Sequence, residues 1–152
     1  MHLSLDKEIT YSTRLSEETQ CFAAEVFIDG KKAGTVENRG RGGCHMYYPH
    51  TLRDTLAAHG ATLAPKVMEH GTFDYDADLV IDDLLFDHLI RTELKKKLAK
   101  QVLFQTKDGK LMASPKYDAA TLVKAIQHFT AKGETVLNSM DFDAALAIYY
   151  TK

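Results

Sequence analysis

"CFAAEVFIDGKKAGTVEN", residues 21–38, decides the fold. Phe22, Ala24, Val26 and Ile28 recur at every second position, the period that sets one face of a strand against a core. Asp29-Gly30 follows, the dipeptide that reaches positive φ at both central positions of a type I′ hairpin turn. "KKAGTVEN" then returns as the partner strand. Upstream, "KEITYSTRL" (7–15) reads as a third strand and "SEET" (16–19) as the polar turn between them. The expectation is a three-stranded antiparallel meander.

Helical signals dominate further along. "PHTLRDTLAAHG" (49–60) has Leu52, Leu56 and His59 at helical spacing, Pro49 in a first turn and Gly60 as a stop. Pro65 and Gly71 then predict a loop. "DADLVIDDLLFDHLIRTELKKKLAK" (76–100) predicts the longest helix, acidic in its first half and basic in its second, an order that complements the helix dipole. Asp87–Arg91 and Glu93–Lys97 are spaced for i,i+4 ion pairs. From Leu79 to Ile90 its apolar residues point to nearly every side, which requires a central position or a second chain.

A second hairpin is expected where "QVLFQTK" and "KLMASP" flank Asp108-Gly109, again read as type I′. Asp118 caps "AATLVKAIQHFTAKG", which stops at Gly133; "ETVLNS" predicts a last strand and "DFDAALAIYY" a closing helix. These elements specify one α+β domain over residues 1–152, an antiparallel sheet built from hairpins packed against a long central helix and shorter helices.

Composition excludes several functional classes. Of 152 residues, 45% are hydrophobic and 26% charged, the mixture of a globular domain with a real core. A net charge of −2 supplies no global field for nucleic acid or an anionic membrane. No apolar run has transmembrane length, and "MHLSLDKEIT" lacks the pattern of a signal peptide, so a cytoplasmic protein is expected. Cys21 and Cys44 are expected to be free thiols.

The unusual stretch is "NRGRGGCHMYYP" (38–49). Consecutive glycines can point several backbone N–H groups into one concavity that holds an anion, and Arg39 and Arg41 could add bidentate phosphate contacts. "GRGGCH" matches neither nucleotide-binding glycine pattern, however, and a loop that simply reverses the chain beside a sheet edge explains the same glycines. Cys44, His45 and His50 raise a zinc question, but the second ligand pair of a structural site is missing. Adjacent Cys44 and His45 diverge on an extended backbone and make a poor nucleophile–base pair.

Elsewhere the chemistry is thinner. "DYDAD" (74–78) places carboxylates like a calcium loop, yet Leu79 and Leu85 stand where glycine and a bidentate glutamate belong; an acidic helix entrance is the better reading. His88 and His128 lack partners at ligand spacing. The basic run "RTELKKKLAK" (91–100) interleaves with Leu94 and Leu98 and follows acidic residues, so a solvated helix end is expected there and nucleic-acid binding is not.

The segment from Leu15 to Pro49, a strand, a "DGKK" turn and a "GRGGC" segment in that order, resembles the N-terminal part of small uncharacterised proteins of bacteria and their phages. "IDDLLFDHLI…LKKKLAKQVLF" is similar to their central helix and following strand. The resemblance implies this element order and a prokaryotic or phage cytosol; it implies no activity.

The functional expectation is a non-enzymatic binding protein acting through Asn38, Arg39, Gly40, Arg41, Gly42, Gly43, Cys44, His45, Tyr47 and Tyr48, because arginine and tyrosine are favoured interface anchors and no catalytic constellation is visible. The alternative is a protein or enzyme that binds a nucleotide or other phosphorylated molecule with the same loop. No catalytic residue, metal or cofactor is assigned. A homodimer and a protein partner are expected, and no membrane contact.

Overall fold

The computed structural model describes residues 1–151. The fold is α+β, and the chain divides into two compact units, Met1–Phe86 and Asp87–Lys152.

The first unit is built on a five-stranded antiparallel sheet: β1 (Leu3–Leu5), β2 (Thr10–Ser12), β3 (Cys21–Ile28), β4 (Lys31–Arg39) and β5 (Met46–Tyr48). The expected hairpin lies at its centre. Asp29 and Gly30 have φ of 50° and 80°, the pair of positive values a type I′ turn needs. A bulge follows at once, since Val26 faces Gly34 but Phe27 faces Lys32, which leaves Ala33 unpaired on β4. On its other side β3 is covered by β1 and β2 in succession, Leu3–Leu5 opposite Ile28–Val26 and Thr10–Ser12 opposite Ala23–Cys21. The strand expected over residues 7–15 is reduced to β2, while β1 before it and β5 beyond β4 are further strands. β1 and β5 are three residues long with no Asp-Gly turn beside them, so neither a period of two nor a hairpin signal marks them in the sequence.

One face of this sheet is interior. Phe22, Ala24 and Val26 on β3, Val36 and Asn38 on β4, and Tyr47 on β5 are all buried. The helix α1 (Thr51–Gly60) supplies buried Leu52 and Leu56. The first half of α2 (Ala77–Leu98) supplies Ala77, Val80, Ile81 and Leu85. The opposite face carries Cys21, Ala23, Glu37 and Arg39, which are half-buried or exposed. Between the two helices, where a loop was expected, β6 (Lys66–Met68) and β7 (Gly71–Phe73) form a separate two-stranded hairpin.

The second unit contains the rest of α2, then β8 (Leu103–Gln105), β9 (Leu111–Ala113), α3 (Ala119–Ala131), β10 (Thr135–Val136), a 3-10 turn at Leu137–Ser139, and α4 (Phe142–Tyr150). The strand order is β10-β8-β9. Leu94, Leu103, Leu137, Ala145, Leu146 and Tyr149 form its core, and Val102, Leu122 and Val136 a second cluster. Both expected helix ion pairs are present, Arg91–Asp87 at 2.8 Å and Lys97–Glu93 at 2.8 Å. The Asp118 side chain caps α3 by accepting from the Thr121 N–H, as expected.

One turn assignment needs correction. Gly109 has φ of 81°, but Asp108 does not share a positive φ, so the β8–β9 connection is not type I′. The Gly109 N–H donates to the Thr106 carbonyl, and the Thr106 hydroxyl accepts from the Lys110 N–H. These contacts close a wider loop, five residues between the paired Gln105 and Leu111, in which only the glycine is left-handed.

The burial pattern sets an expectation for stability. Ile81→Ala, at a fully buried position of α2, should cost about 2–5 kcal/mol through the cavity it leaves. Val123→Ala, at a position 56% exposed on α3, should change stability by less than about 0.5 kcal/mol. Urea unfolding of the two variants measures the contrast.

Candidate functional site

The chain leaves the sheet at Arg39 and re-enters it at Met46. Gly40, Gly42 and Gly43 in this connection have φ of 81°, 87° and 81°, so the glycines are there to shape backbone. Gly40 is constrained twice. A Cβ there would collide with the Leu15 carbonyl oxygen, and the Gly40 carbonyl accepts the N–H groups of Glu17 at 3.0 Å and Glu18 at 2.9 Å.

Behind the loop lies a polar network centred on Asn38, which is only 4% exposed. Its Oδ1 accepts from the Thr19 hydroxyl at 2.6 Å and the Gly40 N–H at 2.9 Å. That fixes which way the amide points. Its Nδ2 therefore donates to the Gly43 carbonyl at 3.2 Å and to Nδ1 of His45 at 3.1 Å. His45 must then carry its proton on Nε2, which donates to Asp82 Oδ1 at 2.9 Å. The Phe22 and His45 rings meet at right angles, with centroids 5.0 Å apart.

Asp78, one helical turn before Asp82, holds the same segment. Its carboxylate accepts from the His45 N–H at 3.1 Å and the Tyr47 hydroxyl at 2.7 Å. Burial, then the hydrogen bond to Asp78, push the Tyr47 phenol far above the usual phenol range. Both ring nitrogens of His45 are hydrogen-bonded inside the protein, which makes the ring part of the support behind the loop. Asn38, His45 and Tyr47, three of the residues expected to meet a partner, form the scaffold of the loop.

The outward side of the loop is different. Arg39 and Arg41 are exposed, and among the described residues neither guanidinium has a carboxylate or hydrogen-bond partner. Cys44 is exposed and Cys21 half-buried, both as free thiols, and Tyr48 is 49% exposed. Arg39 and Arg41 border a groove of about 470 Å³ on the outer face of the sheet, over Thr10, Ser12, Cys21 and Ala23. Glu17 and Glu37 also line it.

A phosphate cradle of backbone amides is weakened by this geometry, since the Gly40 N–H is donated to Asn38 and the Gly42 N–H to Thr19 at 3.3 Å. Among the described residues no three His, Cys, Asp or Glu side chains are grouped to hold a metal ion. Thr19, Asp78 and Asp82 were not singled out from the sequence as parts of this site. Two carboxylates at i,i+4 on the most apolar stretch of a helix were the available signal, because such a pair needs polar partners once the helix is buried.

The chain matches no protein-family model, no curated protein and no solved structure in the comparisons made.

The buried phenol predicts a pH dependence with a definite sign. Tyr47 keeps its proton in the folded state, whereas an unfolded tyrosine ionises near its ordinary value of 10.0. Its contribution to stability is complete below that value and is lost as pH rises above it. Urea titrations of wild type and Tyr47→Phe should show a gap that is constant up to about pH 9 and narrows by about pH 11.

Proposed function

We propose that this chain is a non-enzymatic binding protein whose working surface is the outer side of residues 38–48. One observation carries the reading: Arg39 and Arg41 are exposed and unpaired on a loop that is locked from behind. Guanidiniums mounted on such a loop lose little backbone freedom on binding, so their charge-assisted contacts translate into affinity. The partner is a protein surface that presents carboxylates, with Tyr48 as the adjoining aromatic contact. The setting we assign is the cytosol of a bacterium or of a phage-infected cell, in keeping with the resemblance of residues 15–49.

A second reading rests on the groove beside the same arginines. Its volume of about 470 Å³ suits a small anionic molecule, for which sites of about 300–1,000 Å³ are usual.

The double variant Arg39→Ala/Arg41→Ala separates these ideas. Its melting temperature should stay within about 2 °C of wild type, because exposed arginines contribute little to folding. Quantitative affinity capture should show its partner retained about tenfold less well. Pyrophosphate or ATP that raises the wild-type melting temperature and leaves the variant's unchanged would favour the small ligand. A large drop in stability would make the arginines structural and end both readings.

Self-association belongs to the same proposal, because the outer sheet face bears half-buried Cys21, Ala23 and Met46. Sedimentation equilibrium at micromolar concentration should give a homodimer, twice the 17.0 kDa of the chain. A monomer over that range would remove it.

A further inference from the structure

We infer that the cleft between the β6–β7 hairpin and the first turns of α2 is a docking site for an extended protein segment carrying a lysine or arginine. No residue of the Gly/Arg loop lines the cleft, which encloses about 530 Å³. Its walls are apolar: Met68 and Phe73 from the hairpin, 49% and 47% exposed, and Leu79 from the helix. A phenylalanine and a methionine left half in water on one hairpin beside a concavity are surfaces that gain from being covered.

The charge of the cleft has one sign. Glu69, Asp74, Asp76, Asp78 and Asp82 line it, and no lysine or arginine does. Its only basic side chain is His70, itself 87% exposed. Lys66, on the same hairpin, is paired with Asp83 and does not neutralise the cleft. Three of the carboxylates are already engaged: Asp76 caps α2 through the Leu79 N–H, and Asp78 and Asp82 hold His45 and Tyr47. Asp74 has no hydrogen-bond or ionic partner among the described residues, and Glu69 reaches only His70, at 4.0 Å.

This combination selects the ligand class. A bare cation would need converging oxygens, and no such group exists among the described residues. A cation on an aliphatic stem fits instead: the stem covers Met68, Phe73 and Leu79 while the charged head meets Asp74 and Glu69, with the face of Phe73 as a further attraction. The hairpin argues for a polypeptide over a free amine. Among the described residues β6 and β7 pair only with each other, and no backbone hydrogen bond outside that ladder is made by residues 66–73, so its edges can accept a third strand. Side chains of an added strand alternate, which sends every second one toward the cleft.

The probe is a blocked hexapeptide of alternating valine and lysine, followed by ¹H–¹⁵N correlation spectra of the full chain. Saturable shifts are expected at residues 66–79, and binding should weaken as salt rises. The same peptide with acetylated lysines, or with glutamate for lysine, should bind at least about tenfold more weakly. Glu69→Gln/Asp74→Asn should lose about tenfold in affinity with an unchanged melting temperature, whereas Arg39→Ala/Arg41→Ala should bind the peptide normally. Four results would overturn the inference: no saturable binding of the lysine peptide up to about 1 mM, equal binding of the glutamate peptide, undiminished binding by the Glu69/Asp74 variant, or spermidine binding as tightly as the peptide, which would make the cleft a small-amine site.

Discussion

The hydrogen-bonded chain from Thr19 through Asn38 and His45 to Asp82 is the constraint on which the first unit depends. Each link fixes the next. The Gly40 N–H and the Thr19 hydroxyl orient the amide, the amide sets the tautomer of His45, and the tautomer lets Nε2–H meet Asp82. Four pieces of chain are tied by these contacts: the segment before β3, the end of β4, the entry to β5 and the start of α2. Removing Asn38 leaves the Gly40 N–H without its partner, and removing Asp82 does the same to Nε2–H of His45, each worth about 1–3 kcal/mol. A network with this many satisfied members specifies one loop conformation, where an apolar core alone would permit several.

That rigidity has a consequence at the surface. Because the inward groups are all engaged, the loop's free chemistry is confined to Arg39, Arg41, Cys44 and Tyr48. Asp78 and Asp82 act twice, since they brace the loop and also line the acidic cleft at the entrance of α2. The net charge of −2 averages over these features. A basic rim and an acidic cleft within one unit are invisible to composition, yet they have opposite preferences for partners.

The second unit uses the same device in a different place. Asn138 accepts the Leu103 N–H through Oδ1 and donates to the carbonyls of Leu98 and Gln101, and the Ser114 hydroxyl accepts the Val102 N–H. These side chains satisfy the backbone where α2 ends and β8 begins, a point with no regular secondary structure to do so. The apolar clusters around Leu94 and Val102 then pack against a connection whose polar groups are already paired.

Local chemistry alone determined much of this protein. Alternation in residues 21–28 with Asp29-Gly30, the capping Asp118 and the charge order of α2 are short-range signals, and each reappears where the sequence places it. The glycine segment was legible as a place where backbone needs positive φ, though not which side chains would face inward. Only the tertiary structure decided that. Asn38, His45 and Tyr47 read in sequence like Arg39 and Tyr48, but pleating sends alternate residues to opposite faces, and α2, more than thirty positions away, makes one face interior. Strands of three residues, such as β1, β5, β6 and β7, escape detection for a related reason: their stability comes from partners distant in sequence and not from their own period. The acidic cleft is the same case, because the carboxylates of 74–82 line a concavity only when the hairpin of 66–73 folds beside them.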